Sequence, residues 1–138
     1  MEHLENKGIA LLSPSISVTS ELTCQHVLIT GLGRGGTTAL AQVFRGLGFV
    51  FEQADEFMET KDYRRLLLAG DYQTLIADLQ AWQTSERHHA WKDPKLLSPI
   101  HHQTFYSALP NNIVLVVVLR DLVATTSRFI SVEQADFF

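Results

Sequence analysis

Four glycines, an arginine and two threonines fall within the eight residues Gly31-Leu32-Gly33-Arg34-Gly35-Gly36-Thr37-Thr38. Glycines let a backbone turn tightly and come close to a ligand. The apolar run Val27–Thr30 precedes them and a segment of helical periodicity follows. The first free N–H groups of that helix then point into the turn and attract an anion, phosphate above all. The stretch has the length of a Walker A loop, but Thr37 stands at the lysine position. That lysine reaches the outer phosphates of a nucleoside triphosphate. Arg34 supplies positive charge instead, and its planar fork suits a tetrahedral oxyanion such as phosphate or sulfate. Thr37 and Thr38 add hydroxyl donors. The glycines alone fit a tight packing turn equally well; strand, arginine, paired threonines and helix in this order point to an anion cradle.

Two further basic positions sit at ends of apolar runs. Trp91-Lys92-Asp93-Pro94-Lys95 places a lysine beside a rigid Asp-Pro turn. Arg120-Asp121 closes the run Ile113–Leu119, and Thr125, Thr126, Ser127 and Arg128 follow. Each of these, taken alone, reads as a solvated turn or a charged strand end. The acidic run Glu52–Glu59 offers carboxylates, one of which could act as general base toward an acceptor hydroxyl. Glu52 and Glu56 are four residues apart and share a helix face if that segment is helical. Most acids in such a run are simply solvated. The pairs His88-His89 and His101-His102 are neighbours in sequence, so their side chains do not face each other, and their spacing matches no zinc pattern. They read as surface or site-lining histidines, and no metal site is expected.

These residues need elements to hold them. The chain has 138 residues, 46% of them hydrophobic, which suffices for one domain with a single core. The formal net charge of −4 leaves no global basic field for nucleic acid, so any anion site is local. Cys24 is the single cysteine, which excludes an internal disulfide and fits a reducing, cytoplasmic setting. No stretch reaches the roughly 20 apolar residues of a membrane span. Residues 1–24 read as an irregular lead-in, rich in serine with one proline. Strands are expected at Val27–Thr30, Phe49–Phe51, Ala90–Lys92 and Ile113–Leu119. The last is continuously apolar and suits a strand covered on both faces of a parallel sheet. Helices are expected from Thr37 to about Gly46, over 55–69, 71–83 and 99–109, and from about Leu122 to Ala135. Leu40, Val43, Phe44 and Leu47 fall on one face of the first; Leu66, Leu67, Ile76, Leu79 and Trp82 are core candidates. Alternating strands and helices predict an α/β fold with helices on both sides of the sheet. Ligands in such sheets bind at the carboxyl ends of strands, where the glycine turn, Lys92-Asp93 and Arg120-Asp121 converge.

Taken together, the segments Leu28–Leu40, Trp91–Lys95 and Ile113–Asp121 with Ser127 resemble the sulfotransferase family that uses 3′-phosphoadenosine 5′-phosphosulfate (PAPS). The first is similar to the family's 5′-phosphosulfate loop, the second to the Lys-Asp-Pro turn of many carbohydrate and bacterial members, the third to the 3′-phosphate strand-and-helix element. The resemblance implies a P-loop-like, three-layer α/β/α fold with a short, mostly parallel central sheet over residues 25–138. It implies that Gly33, Arg34, Gly35, Gly36, Thr37 and Thr38 hold the 5′-phosphosulfate, and that Arg120 with Ser127 or Arg128 holds the 3′-phosphate. Lys92 would lie near the sulfuryl group, and Glu56 or Glu52 would be the general base. The reaction implied is in-line transfer of a sulfuryl group to a hydroxyl or amine, with carbohydrate favoured as acceptor by the Lys-Asp-Pro type turn. Arg34, Lys92 and the loop amides would stabilise the developing charge, with no metal.

The chain departs from the family pattern in three places. Gly35 stands where serine is usual, and Leu122 where proline often follows Arg-Asp. Ser127 comes one residue early, and one residue rotates a helical side chain by about 100°, so Thr126, Ser127 and Arg128 are alternatives. Family members continue past this length into an acceptor pocket, so the domain is expected to be C-terminally incomplete. Two other readings stay open. A P-loop nucleoside or nucleotide kinase would use ATP with magnesium, Asp121 holding the ion through water. A non-catalytic remnant would act through exposed apolar surface, as a homodimer if Phe137 and Phe138 are unburied.

Overall fold

The computed structural model describes residues 26–98, 100 and 102–120. Strand β1 (His26–Gly31) lies at the centre, all six residues buried. The chain then forms helix α1 (Thr37–Gly46), helix α2 (Lys61–Ala69) and helix α3 (Tyr72–Ala81). Strand β2 (His89–Lys92), the short helix α4 (His102–Ser107) and strand β3 (Ile113–Val118) follow. The three strands form one parallel sheet in the order β2-β1-β3, with His26 level with His89 on one side and Ile113 on the other. Alternate residues of β1 serve opposite faces, as the pleat requires. Leu28 joins Trp91 of β2, Leu67 of α2, Leu75 and Leu79 of α3 and Phe105 of α4. Val27 and Ile29 join Ala90, Ala41 and Met58 on the α1 side. The described residues thus form a small α/β fold with helices on both faces. No helix among them is long and apolar enough to cross a membrane.

Local chemistry moves several boundaries. The helix expected over 55–69 starts only at Lys61. Asp55 prevents the earlier start: its Oδ1 accepts the N–H groups of Phe57 (2.9 Å) and Glu59 (3.0 Å), and Met58 takes a left-handed φ of 62°. A short acidic side chain that bonds its own following backbone competes with the helix. The helix then ends at Gly70, whose φ of 73° suits glycine at that position. Asp71 caps α3 by accepting the Thr74 N–H. Its last turn, Trp82–Thr84, is a 3-10 turn rather than α-helix. Phe49–Phe51 is not a strand: Val50 alone bridges His89, because the chain turns away at Gln53, with φ 48°. Ile100 is in a 3-10 turn and α4 is described from His102, with residues 99 and 101 outside the described residues.

Two apolar faces also differ from expectation. Ala41 is the residue of α1 pressed hardest on the sheet, with Leu40 and Phe44 beside it, while Val43 and Leu47 face solvent. The small alanine lets the helix approach closely, and that choice sets the buried face. On β3, Val116 and Val118 pack toward α1, but Leu115 and Val117 are 39% and 40% exposed. Coverage of both faces is therefore not met among the described residues, in which β3 has one strand neighbour. The helix expected over Leu122–Ala135, Asp121, the lead-in 1–24, Cys24 and the terminal phenylalanines all lie outside the described residues.

The β1–β3 contact is close at Gly31, which pairs with Val118. A Cβ there would sit 2.7 Å from the Val118 carbonyl oxygen and 2.9 Å from Thr37 Cγ2. Backbone cannot give way as a flexible side chain can, so Gly31→Ala is expected to cost about 1–3 kcal/mol in urea unfolding. An unchanged midpoint would show that the strands can part at no cost.

Candidate functional site

The parallel sheet puts the carboxyl ends of all three strands on one edge, and the loops after them share that edge. The loop after β1 closes through the Gly35 N–H donating to the Leu32 carbonyl (2.9 Å). Arg34 adopts φ 65° and Gly36 φ 98° to make the turn. Left-handed backbone is costly for arginine and free for glycine. At Gly35 a Cβ would lie 2.7 Å from the Leu32 carbonyl oxygen, so the serine usual in the resembled family does not fit this loop unless it shifts. Gly36 immediately precedes α1, no side chain caps that helix, and its first turn holds no acid. The orphan N–H groups and the positive end of the helix dipole are therefore available to an anion.

A cavity of about 400 Å³ opens in front of this turn. Gly33, Arg34, Gly36, Thr37 and Thr38 line one side, and Phe57, Glu59, Lys92 and Pro94 the other. Lys92 ends β2 and is only 2% exposed. Its Nζ donates to Glu59 Oε1 at 2.7 Å and to the Phe57 carbonyl at 2.9 Å. Thr38 Oγ1 donates to the same carbonyl at 3.4 Å. Glu59 also meets Arg64 Nη2 at 2.6 Å. Arg64 in turn grips Asp93 with both prongs of its fork, Nε and Nη2 each at 2.8 Å. The Asp93 carboxylate raises the pKa of the Arg64 guanidinium further, outweighing the opposing effect of burial. Lys92, Glu59, Arg64 and Asp93 form a chain of alternating charge, so each buried charge has a partner.

The Lys-Asp-Pro turn explains itself in this setting. Successive side chains at a strand end point to opposite sides. Lys92 enters the cavity; Asp93, fully buried, turns back to Arg64 and accepts the Lys95 N–H at 2.9 Å. Pro94 then occupies the first position of the 3-10 turn Pro94–Leu97, where its missing N–H costs nothing.

The sequence-derived candidates divide as follows. Gly33, Arg34, Gly36, Thr37, Thr38 and Lys92 come together around the cavity, with Gly35 buried in the turn. Glu56 is exposed and outside the lining. Glu52 lines a second cavity. Arg120 follows β3 on the same sheet edge, is exposed and is not among the residues lining the cavity. Ser127, Arg128 and Thr126 lie outside the described residues. Sequence reasoning missed Glu59 and Arg64. The available signal was the last acid of the run, Glu59, next to Thr60, which precedes α2 and donates to the Glu52 carbonyl at 2.7 Å. An acid pinned beside a helix start is held in place more firmly than one in the middle of an exposed turn.

The second cavity, of about 440 Å³, has His89 at the start of β2 in its lining. Glu52, Gln53, Thr60 and Tyr63 line it together with Asp62, Asp78, Trp82, Ser85 and His89. His89 stacks on Trp82, their planes 13° apart, and burial lowers its pKa below the ordinary histidine value. Its backbone N–H donates to Nδ1 of buried His26 at 3.1 Å. No group of three His, Cys, Asp or Glu side chains among the described residues is arranged to hold a metal ion. No family model, curated protein or solved structure matches the chain. The described residues are therefore those of a small α/β protein with a cavity beside the glycine turn at the carboxyl edge of its sheet.

Proposed function

We propose that the carboxyl-edge cavity binds the 5′-phosphosulfate of PAPS, and that the chain is a PAPS-dependent sulfotransferase or the nucleotide-binding part of one. One observation carries this reading. A glycine turn without the Walker lysine, an uncapped helix N-terminus and a buried lysine from the neighbouring strand all face one cavity. Donors from three elements around one small volume suit a compact, doubly liganded oxyanion. Arg34 and the α1 amides would hold the phosphosulfate, and Lys92 would stabilise charge on the transferring group. Arg120, at the end of β3, is the basic residue on hand for the 3′-phosphate. Of the three glutamates in the acidic run, Glu59 lines the cavity, and we assign it the base that takes the acceptor's proton; it also orients Lys92. The acceptor would be a hydroxyl or amine, with carbohydrate favoured by the Lys-Asp-Pro turn.

Thermal unfolding with ligands tests the assignment. A ligand that binds only the folded chain at a hundred times its Kd adds about 2.7 kcal/mol. 3′,5′-ADP is expected to raise the Tm by several degrees, and 5′-AMP to do much less. Arg34→Ala should abolish the 3′,5′-ADP response, because the guanidinium fork at the rim is lost. Stabilisation by ATP with magnesium alone would replace this reading with a kinase. No response to any nucleotide would leave the non-catalytic remnant.

A further inference from the structure

The second cavity holds an arrangement that the anion site does not use. Ser85 Oγ lies 2.7 Å from His89 Nε2, and Glu52 Oε1 lies 3.3 Å from His89 Nδ1. We propose that Ser85, His89 and Glu52 form a nucleophile–base–carboxylate triad that cleaves acyl esters, with preference for alcohols that carry a positive charge. The proposal is independent of the nucleotide reading, since it concerns a different cavity and different residues.

The three residues arrive from separate places in the chain. Glu52 follows the Val50 bridge, Ser85 ends the 3-10 turn after α3, and His89 opens β2. The Glu52 carboxylate near Nδ1 favours the proton on that nitrogen by its charge, although the two are not aligned as a hydrogen bond; in that tautomer Nε2 keeps its lone pair and accepts from the serine hydroxyl. The Arg87 N–H donates to Ser85 Oγ at 3.1 Å, which holds the hydroxyl in place and leaves its proton for His89. His89 is 6% exposed and clamped by Trp82 and by its backbone bond to His26, so the base is held ready. Burial lowers the ring's pKa and so favours its neutral, proton-accepting form. At 3.3 Å Glu52 is close to Nδ1 but not aligned to accept its proton, so the triad requires a small rotation of that carboxylate when substrate binds.

In the reaction, Ser85 Oγ bonds to the acyl carbon while its proton passes to His89 Nε2, and the carbonyl π pair moves onto oxygen. Collapse of that intermediate expels the alkoxide, which takes the proton from His89. Water then attacks the acyl-serine with His89 as base, releases a carboxylic acid and restores the serine hydroxyl. Gln53, Tyr63 and Trp82 are neutral side-chain donors in the lining, from which the oxyanion would draw its hydrogen bonds. Asp62 and Asp78 line the same cavity, beside the Tyr63 and Trp82 rings, and favour a cationic alcohol over an anionic one.

A Ser–His hydrogen bond can also do no more than pin a turn, and covalent labelling separates the two roles. The full 138-residue chain is treated with an alkyl fluorophosphonate, whose fluoride is displaced by an activated serine, and the adduct is mapped by peptide mass. The expected result is a single adduct on Ser85, absent in Ser85→Ala, at least a hundredfold slower in His89→Gln and about tenfold slower in Glu52→Gln. Glu52 is half-exposed, so its variant reports on the triad even where His89→Gln does not fold. No adduct on Ser85, or equal labelling rates in wild type and Glu52→Gln, overturns the triad. Acetylthiocholine is expected to be cleaved at least tenfold more efficiently than a neutral thioacetate of the same length; equal kcat/KM values overturn the charge preference.

Discussion

Replacing Asp93 by alanine is expected to remove about 3 kcal/mol of stability and to lower the Tm by about 10 °C or more. Asp93 is completely buried and accepts three hydrogen bonds, two from the Arg64 fork and one from the Lys95 N–H. Truncation leaves a cavity, an unsatisfied backbone donor and a guanidinium whose remaining carboxylate partner is Glu59. Breaking one partner of a buried ion pair costs about 3–5 kcal/mol, and the partial exposure of Arg64 places this pair at the lower end. Asp93→Asn keeps an acceptor for the Lys95 N–H and should lose about half as much. Urea unfolding of both variants checks the pair; a loss below about 1 kcal/mol for alanine would place the contact with ordinary surface ion pairs.

Lys92→Met is expected to lower the rate of 3′,5′-ADP release from PAPS about a hundredfold, if the cavity carries sulfuryl transfer as proposed. Methionine keeps the buried stem and removes the ammonium. Glu59 retains Arg64, so the fold should hold. Ground-state binding rests mainly on Arg34 and the α1 amides, so the affinity for 3′,5′-ADP should change by less than about threefold. That split between rate and binding is the signature of a group acting on the transition state. An unchanged rate would remove Lys92 from the transfer step, while a proportional loss of binding would make it a simple anion ligand.

How much of this could be read from the sequence depends on the range of each interaction. The strands were legible because Val27–Ile29, Ala90-Trp91 and Ile113–Val118 are apolar runs that end in glycine or charge, and a parallel pairing follows from the helices between them. The glycine turn was legible for the same reason: its residues are contiguous. The start of α2 was not, because the Asp55 side chain outcompetes helix propensity over six residues. Nor was the Lys92–Glu59–Arg64–Asp93 chain, whose members are brought together only by the packing of α2 beside the end of β2. The same limit hid the Ser85–His89–Glu52 arrangement. An adjacent histidine pair looks like surface until the fold turns one ring inward against Trp82.

The register of the sheet also dictates an order of events. Neither neighbour of β1 is near it in the chain: His26 pairs with His89, 63 residues on, and with Ile113 farther still. Large loops must close before any ladder bond forms, which makes assembly slow. During synthesis the first strand emerges long before either partner, as an unpaired apolar segment prone to association. Gly31 pairs with Val118 in the β1–β3 ladder, so the start of the glycine turn gains that backing when β3 docks. Affinity for an anion should therefore appear late in refolding, in step with the final gain of sheet structure rather than with the first collapse.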